Sequence, residues 1–206
     1  MRKSAMSLAV VGIVVSLTWD VRAELIEFKF SGTVTRIQTG GWWALPTEVP
    51  APWNKVNLGD PWSLKYTFDS TTLPYLTHVE EDGGGCAWYA AIQACHLKVG
   101  KAAWQPNYPD FREYGTKSIM VFDDYGRDEY DVYVGCGDEL IELFFWGPET
   151  VWDRDNFELP LCGDIPLSSF TYRCFWLMFY ERDWQIEVWG SVDQHSCRTL
   201  EDGDQQ

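Results

Sequence analysis

The densest chemistry in the chain is a short run of carboxylates, Asp123, Asp124, Asp128, Glu129 and Asp131. Oxygen ligands gathered at a turn suit calcium, and the extracellular supply of that ion fills even weak sites. The spacing matches no EF-hand loop, and apolar residues flank the run on both sides. A solvated hairpin tip, blunted by charge, is therefore the favoured account. Weak calcium binding centred on Asp123, Asp124 and Asp128 is the only cofactor chemistry the residues suggest.

Tryptophan is the second oddity, with 12 in the chain. Trp42, Trp43, Trp53 and Trp104 fall in connections rich in Gly and Pro, where exposed rings on a rigid scaffold can stack on sugars or anchor a protein partner. The favoured alternative is that these rings fold back and cap the core. Trp62, Trp146, Trp176, Trp184 and Trp189 lie in strand-like segments and are expected in the core or on a sheet face.

Enzymatic shortcuts are missing. There is no Gly-x-Ser-x-Gly, no His-Glu-x-x-His, no phosphate-binding glycine loop and no dinucleotide fingerprint. His78, His96 and His195 are scattered and are expected on the surface. An Asp/Glu pair for glycoside hydrolysis is the one catalytic arrangement still open, but among 31 acidic residues nearness of two is expected by chance. The reading leans away from an enzyme.

The start of the chain, Met1-Arg2-Lys3 followed by an apolar run to Trp19 and then Val21 and Ala23, has the form of a secretory signal peptide over residues 1–23. The expected location is secreted, periplasmic or cell-surface, with no membrane attachment after cleavage. A net charge of −15 repels phosphate backbones and anionic headgroups, which argues against nucleic acid and membrane surfaces as partners. In an exported chain six cysteines read as disulfides. Short spacings favour Cys86 with Cys95 and Cys162 with Cys174, leaving Cys136 for Cys197.

These residues must be positioned by strands. Trp62, Leu64, Tyr66 and Phe68 alternate with Ser63, Lys65, Thr67 and Asp69, the period of a half-buried strand. Ile26, Phe28, Phe30 and Val34 repeat it, with Gly32 as a break that marks a bulge or the close approach of another strand. Further strands are expected over 90–99, 118–122, 130–134, 139–146, 173–181 and 184–192, that of 139–146 apolar enough to be buried on both faces. The sum is an all-β, disulfide-stapled antiparallel sandwich or barrel of about eight strands. Residues 24–198 form one domain, and the acidic tail 199–206 is expected to be disordered.

The order of pieces resembles a group of secreted bacterial proteins without assigned activity, many of which carry a PEP-CTERM sorting tail. The pieces are Phe-x-Gly-x-Val near residue 30, Gly59-Asp60, Tyr66 to Ser70, Val99-Gly100, Ile119 to Val121, Asp131 to Tyr133, Leu159-Pro160, Leu167 to Phe170 and Val188 to Val192. This chain lacks the Val-Pro-Glu-Pro motif and the apolar C-terminal helix of the tailed members. The expected function is a non-enzymatic binding or structural component of the envelope or extracellular matrix, with a glycan or an envelope protein as partner. A carbohydrate-binding module using the loop tryptophans is the alternative, and a glycosidase a more distant one.

Overall fold

The computed structural model describes residues 24–41, 51, 53–79, 84–104, 117–124, 127–136, 139–148, 151, 158–162, 165–181 and 184–200. The expected signal peptide over residues 1–23, Trp42, Trp43 and the residues beyond Leu200 lie outside them.

The longest strand, β1 (Leu25–Gly41), organises the fold because its two halves serve different layers. Its first half pairs on one side with β2 (Pro61–Asp69) and on the other with β12 (Gln194–Leu200). Past a register shift between Val34 and Arg36, its second half pairs with β11 (Trp184–Ser191). From β2 the smaller layer continues through β5 (Ile92–Val99) to β6 (Ala102–Trp104). From β11 the larger layer runs through β10 (Tyr172–Glu181), β9 (Glu139–Gly147), β8 (Arg127–Cys136), β7 (Lys117–Asp124) and β4 (Gly85–Tyr89) to β3 (Leu76–Val79). All pairings among the described residues are antiparallel, and the 12-stranded sheet folds over on itself with β3, β6 and β12 as open edges. Among the described residues no pairing joins β3 to β6, so the sheet is open, as in a sandwich.

Alternation puts one side chain in two between the layers. Phe28, Phe30, Leu64, Tyr66 and Phe68 of the smaller layer are fully buried against Tyr130, Phe145 and Phe175 of the larger. Each such side chain contributes about 1.5–3 kcal/mol by leaving water. Ring contacts cross the gap, Phe30 to Phe145 at 5.3 Å and Trp62 to Phe175 at 4.3 Å. The indole of Trp62 also donates from Nε1 to the Ser191 carbonyl at 2.8 Å. It fits because two glycines give way: a Cβ on Gly32 would collide with the Ser191 backbone, and one on Gly190 with the indole itself. The break at Gly32 is thus a close approach.

The described residues form twelve strands where about eight are expected. β3 and β4 fall where no strand is expected, β6 follows Gly100, and β12 carries the domain to Leu200, past the expected boundary at residue 198. β1 also reaches Gly41, shortening the connection expected from residue 38, and a 3-10 turn forms at Trp53–Lys55.

The cysteine pairing differs too. Cys162 is bonded to Cys197, not to Cys174, and Cys86, Cys95 and Cys174 are free thiols. Cys95 lies in the core of the smaller layer, while Cys86 and Cys174 sit on the far face of the larger one, separated by β7, β8 and β9. Three intervening strands hold the latter two well beyond the ~7 Å Cα separation a disulfide tolerates. The side chain of Cys136 lies outside the described residues.

Candidate binding face

The expected sites divide under this geometry. Trp53 is buried, and its Nε1 donates to Glu139 Oε1 at 3.1 Å, so it caps the core. Trp104 belongs to β6, but its side chain lies outside the described residues. The solvated hairpin tip is overturned. β7 and β8 extend to Asp124 and Arg127, which places Asp123 opposite Asp128, both turned to the core side and nearly inaccessible at 1% and 0% exposure. The side chain of Asp124 is outside the described set, and among the described residues no group of three His, Cys, Asp or Glu is arranged to hold a metal. His78, His96 and His195 fall on β3, β5 and β12 and do not converge.

What the fold does assemble is the outer face of the larger layer. Register aligns Ser118, Tyr133, Glu142, Trp176 and Trp189 in one row across β7, β8, β9, β10 and β11. The next row holds Met120, Asp131, Phe144 and Cys174, and the one beyond it Phe122, Glu129, Trp146 and Tyr172. Carboxylates thus occupy the middle of the face with aromatic rings on both sides.

Glu142, Phe144, Tyr172, Cys174, Trp176 and Trp189 line a shallow cleft of about 240 Å³. Trp176 and Trp189 stack at 5.1 Å, and Trp146 and Tyr172 at 6.0 Å. Trp146 and Tyr172 are 36% and 40% exposed, more than any other strand aromatic whose side chain is among the described residues. Trp176 Nε1 is a buried donor with no hydrogen-bond partner among the described residues.

The electrostatics follow from crowding. Burial, then the neighbouring Glu129 and Glu142, hold the Asp131 carboxyl well above the usual aspartate range, against a backbone hydrogen bond from Phe145 and one from Tyr133. Burial also raises Glu142, opposed by its hydrogen bond with Tyr133 and reinforced by Glu129. The Tyr133 hydroxyl is shared between the two, donating to Asp131 Oδ2 at 3.3 Å. Glu129 is paired with Arg127 at 2.7 Å. Like charges in a poorly hydrated row favour a proton on at least one of them.

Sequence reading left Trp146, Trp176 and Trp189 in the core or on a sheet face and did not join them to Glu142 and Asp131. A signal existed: Glu142 interrupts Leu140-Ile141-Glu142-Leu143-Phe144-Phe145, a segment too apolar to carry a charge without reason.

A scan against protein-family models finds no match to this chain, and searches of the curated proteins and of the solved structures find none either.

Proposed function

We propose that this chain is an exported, non-enzymatic binding protein of the cell envelope or extracellular matrix, and that the outer face of its larger layer holds a neutral glycan. The observation that carries the reading is the exposed Trp146–Tyr172 pair beside the cleft of Glu142 and Trp176. Apolar sugar faces stack on such rings, while carboxylates accept hydrogen bonds from sugar hydroxyls and the Trp176 N–H seeks an acceptor. The likeness of the motif order to a group of secreted bacterial proteins supports export.

Binding is favoured over hydrolysis by accessibility. A glycosidase needs two carboxyl groups flanking the scissile bond. Here Glu142 reaches the cleft, but Asp131 is 1% exposed.

The test is titration of neutral oligosaccharides into the chain and into the double variant Trp146→Ala/Tyr172→Ala. Binding should vanish while stability moves by no more than about 1 kcal/mol, as at exposed positions. Equal binding by both proteins would refute the assignment, and turnover of a polysaccharide panel lost in Glu142→Gln would make the protein an enzyme.

A further inference from the structure

The opposite outer face of the sandwich has a different chemistry. Although acidic residues outnumber basic ones by 31 to 16 in the chain, the outward side chains of the smaller layer gather Lys29, Lys65, Lys98 and Arg198 against Glu27 and Asp69. Lys29 of β1 lies directly across from Lys65 of β2, which lies directly across from His96 of β5. One row along, Ser31, Ser63 and Lys98 are aligned in the same way. Lys29, Ser63, Lys65, His96 and Lys98 line a shallow depression of about 390 Å³.

Like charges set directly opposite on neighbouring strands are destabilising, so this arrangement is costly unless something neutralises it. Glu27 does so only in part. It binds Lys65 Nζ at 3.2 Å and Arg198 Nε at 2.9 Å. Among the described residues neither Lys29 nor Lys98 has an ion-pair partner. The field is also felt by His96, whose pKa is lowered first by burial and then by Lys65, against an opposing pull from Glu27.

We propose that this depression is a second binding site, independent of the aromatic face, and that it takes an anionic polysaccharide whose carboxylate or sulfate groups rest on Lys29, Lys65 and Lys98. Three features select that ligand. Among the described residues none of the exposed large apolar side chains belongs to β1, β2 or β5, so these strands offer neither the anchors of a protein interface nor the wedges of a membrane-binding surface. Among the described residues the only ring in the lining is the His96 imidazole, so the depression offers a nucleic-acid base no Trp, Tyr or Phe to stack on. The serine hydroxyls beside the lysines suit a ligand rich in hydroxyl groups as well as charge. With a neutral-glycan face on one layer and a polyanion face on the other, a single molecule could bridge two polymers.

The probes are polygalacturonate, dextran sulfate, polyphosphate and neutral dextran, titrated against the chain lacking residues 1–23 at low and at physiological salt. Polygalacturonate or dextran sulfate should bind at low salt and weaken as salt rises, and neutral dextran should not compete. Lys98→Gln removes an exposed charge without an ion-pair partner and should keep the parent melting temperature, while Lys29→Gln relieves the like-charge contact with Lys65 and should keep or raise it. Each should weaken binding severalfold and lower the salt slope by about one. Trp146→Ala/Tyr172→Ala should bind the polyanion like the parent, which separates this site from the neutral-glycan one. The proposal is overturned if neither acidic polysaccharide binds, if the lysine variants bind equally well, or if polyphosphate alone is held. Self-association lost in the same variants, with no polysaccharide bound, would instead assign the face to a second copy.

Discussion

The hydroxyls of Tyr66 and Tyr130 meet at 2.5 Å in the middle of the core, one from each layer of the sandwich. Both residues are fully buried, and burial is the leading reason that both phenols are held well above the ordinary tyrosine range. The two hydroxyls share a hydrogen bond that joins the layers. Tyr66→Phe or Tyr130→Phe should therefore cost about 1–3 kcal/mol, because it takes that bond from a buried partner, whereas the double variant should cost less than the sum. Urea unfolding of the four proteins in a double-mutant cycle measures the coupling, and strictly additive losses would contradict it.

The indole of Trp62 rests on the absence of two side chains. Gly32→Ala or Gly190→Ala introduces a methyl group where the Ser191 backbone or the indole already sits. Either should destabilise by about 3 kcal/mol or more through overpacking. A tryptophan emission shift toward that of a wetter indole should accompany the loss. Unchanged stability would mean that the strands separate more easily than this packing implies.

The carboxylates of the larger layer give stability an acid-leaning pH profile. Asp131 and Glu142 both have folded pKa values raised above their unfolded ones. Their protonated forms are the ones the fold favours. The stability they contribute is complete below the unfolded values near ~4 and is lost as pH rises through the folded values. Melting temperature should thus climb as pH falls from neutrality toward about 5, and Asp131→Asn should flatten the rise while stabilising the neutral protein. A parent profile that is flat or falls over that interval would count against this account.

Thiol chemistry should divide the cysteines. Under native, non-reducing conditions Cys86, which is half-buried, should alkylate before the buried Cys95 and Cys174. Burial also pushes the Cys95 thiol up to about 12, which keeps it protonated and unreactive. Cys162 and Cys197 should label only after reduction. Removing that bond with Cys162→Ser/Cys197→Ser should cost about 3–4 kcal/mol in the chain-entropy model, since it closes a loop of 35 residues. A native protein with no alkylatable thiol would restore the pairing that cysteine spacing suggests.

Legibility followed burial. The alternation from Trp62 to Phe68 names a strand and its core face without ambiguity, because every second residue there is fully buried. β12 gave no such signal: Gln194, Ser196 and Arg198 face water, and the strand is held by its pairing with β1 and by the Cys162–Cys197 bond. β3 is exposed at all four residues, so its sequence is under no hydrophobic constraint. The binding face was hidden for another reason. Glu142, Trp176 and Trp189 are distant in the chain and become neighbours only through a register that no local pattern encodes.

The pairing of β1 sets the order of events in folding. Besides β2, its hydrogen-bonded neighbours are β11 and β12, far along the sequence, with the Glu27–Arg198 ion pair spanning 171 positions. β1 cannot complete its pairings until those distant strands have also been made. Loop closure on that scale must be met before the contacts reward it, so folding is expected to be slow and to begin within the local hairpins β7–β8 and β10–β11. Until then the apolar row of Ile26, Phe28 and Phe30 is an exposed edge, the segment most in need of protection from aggregation.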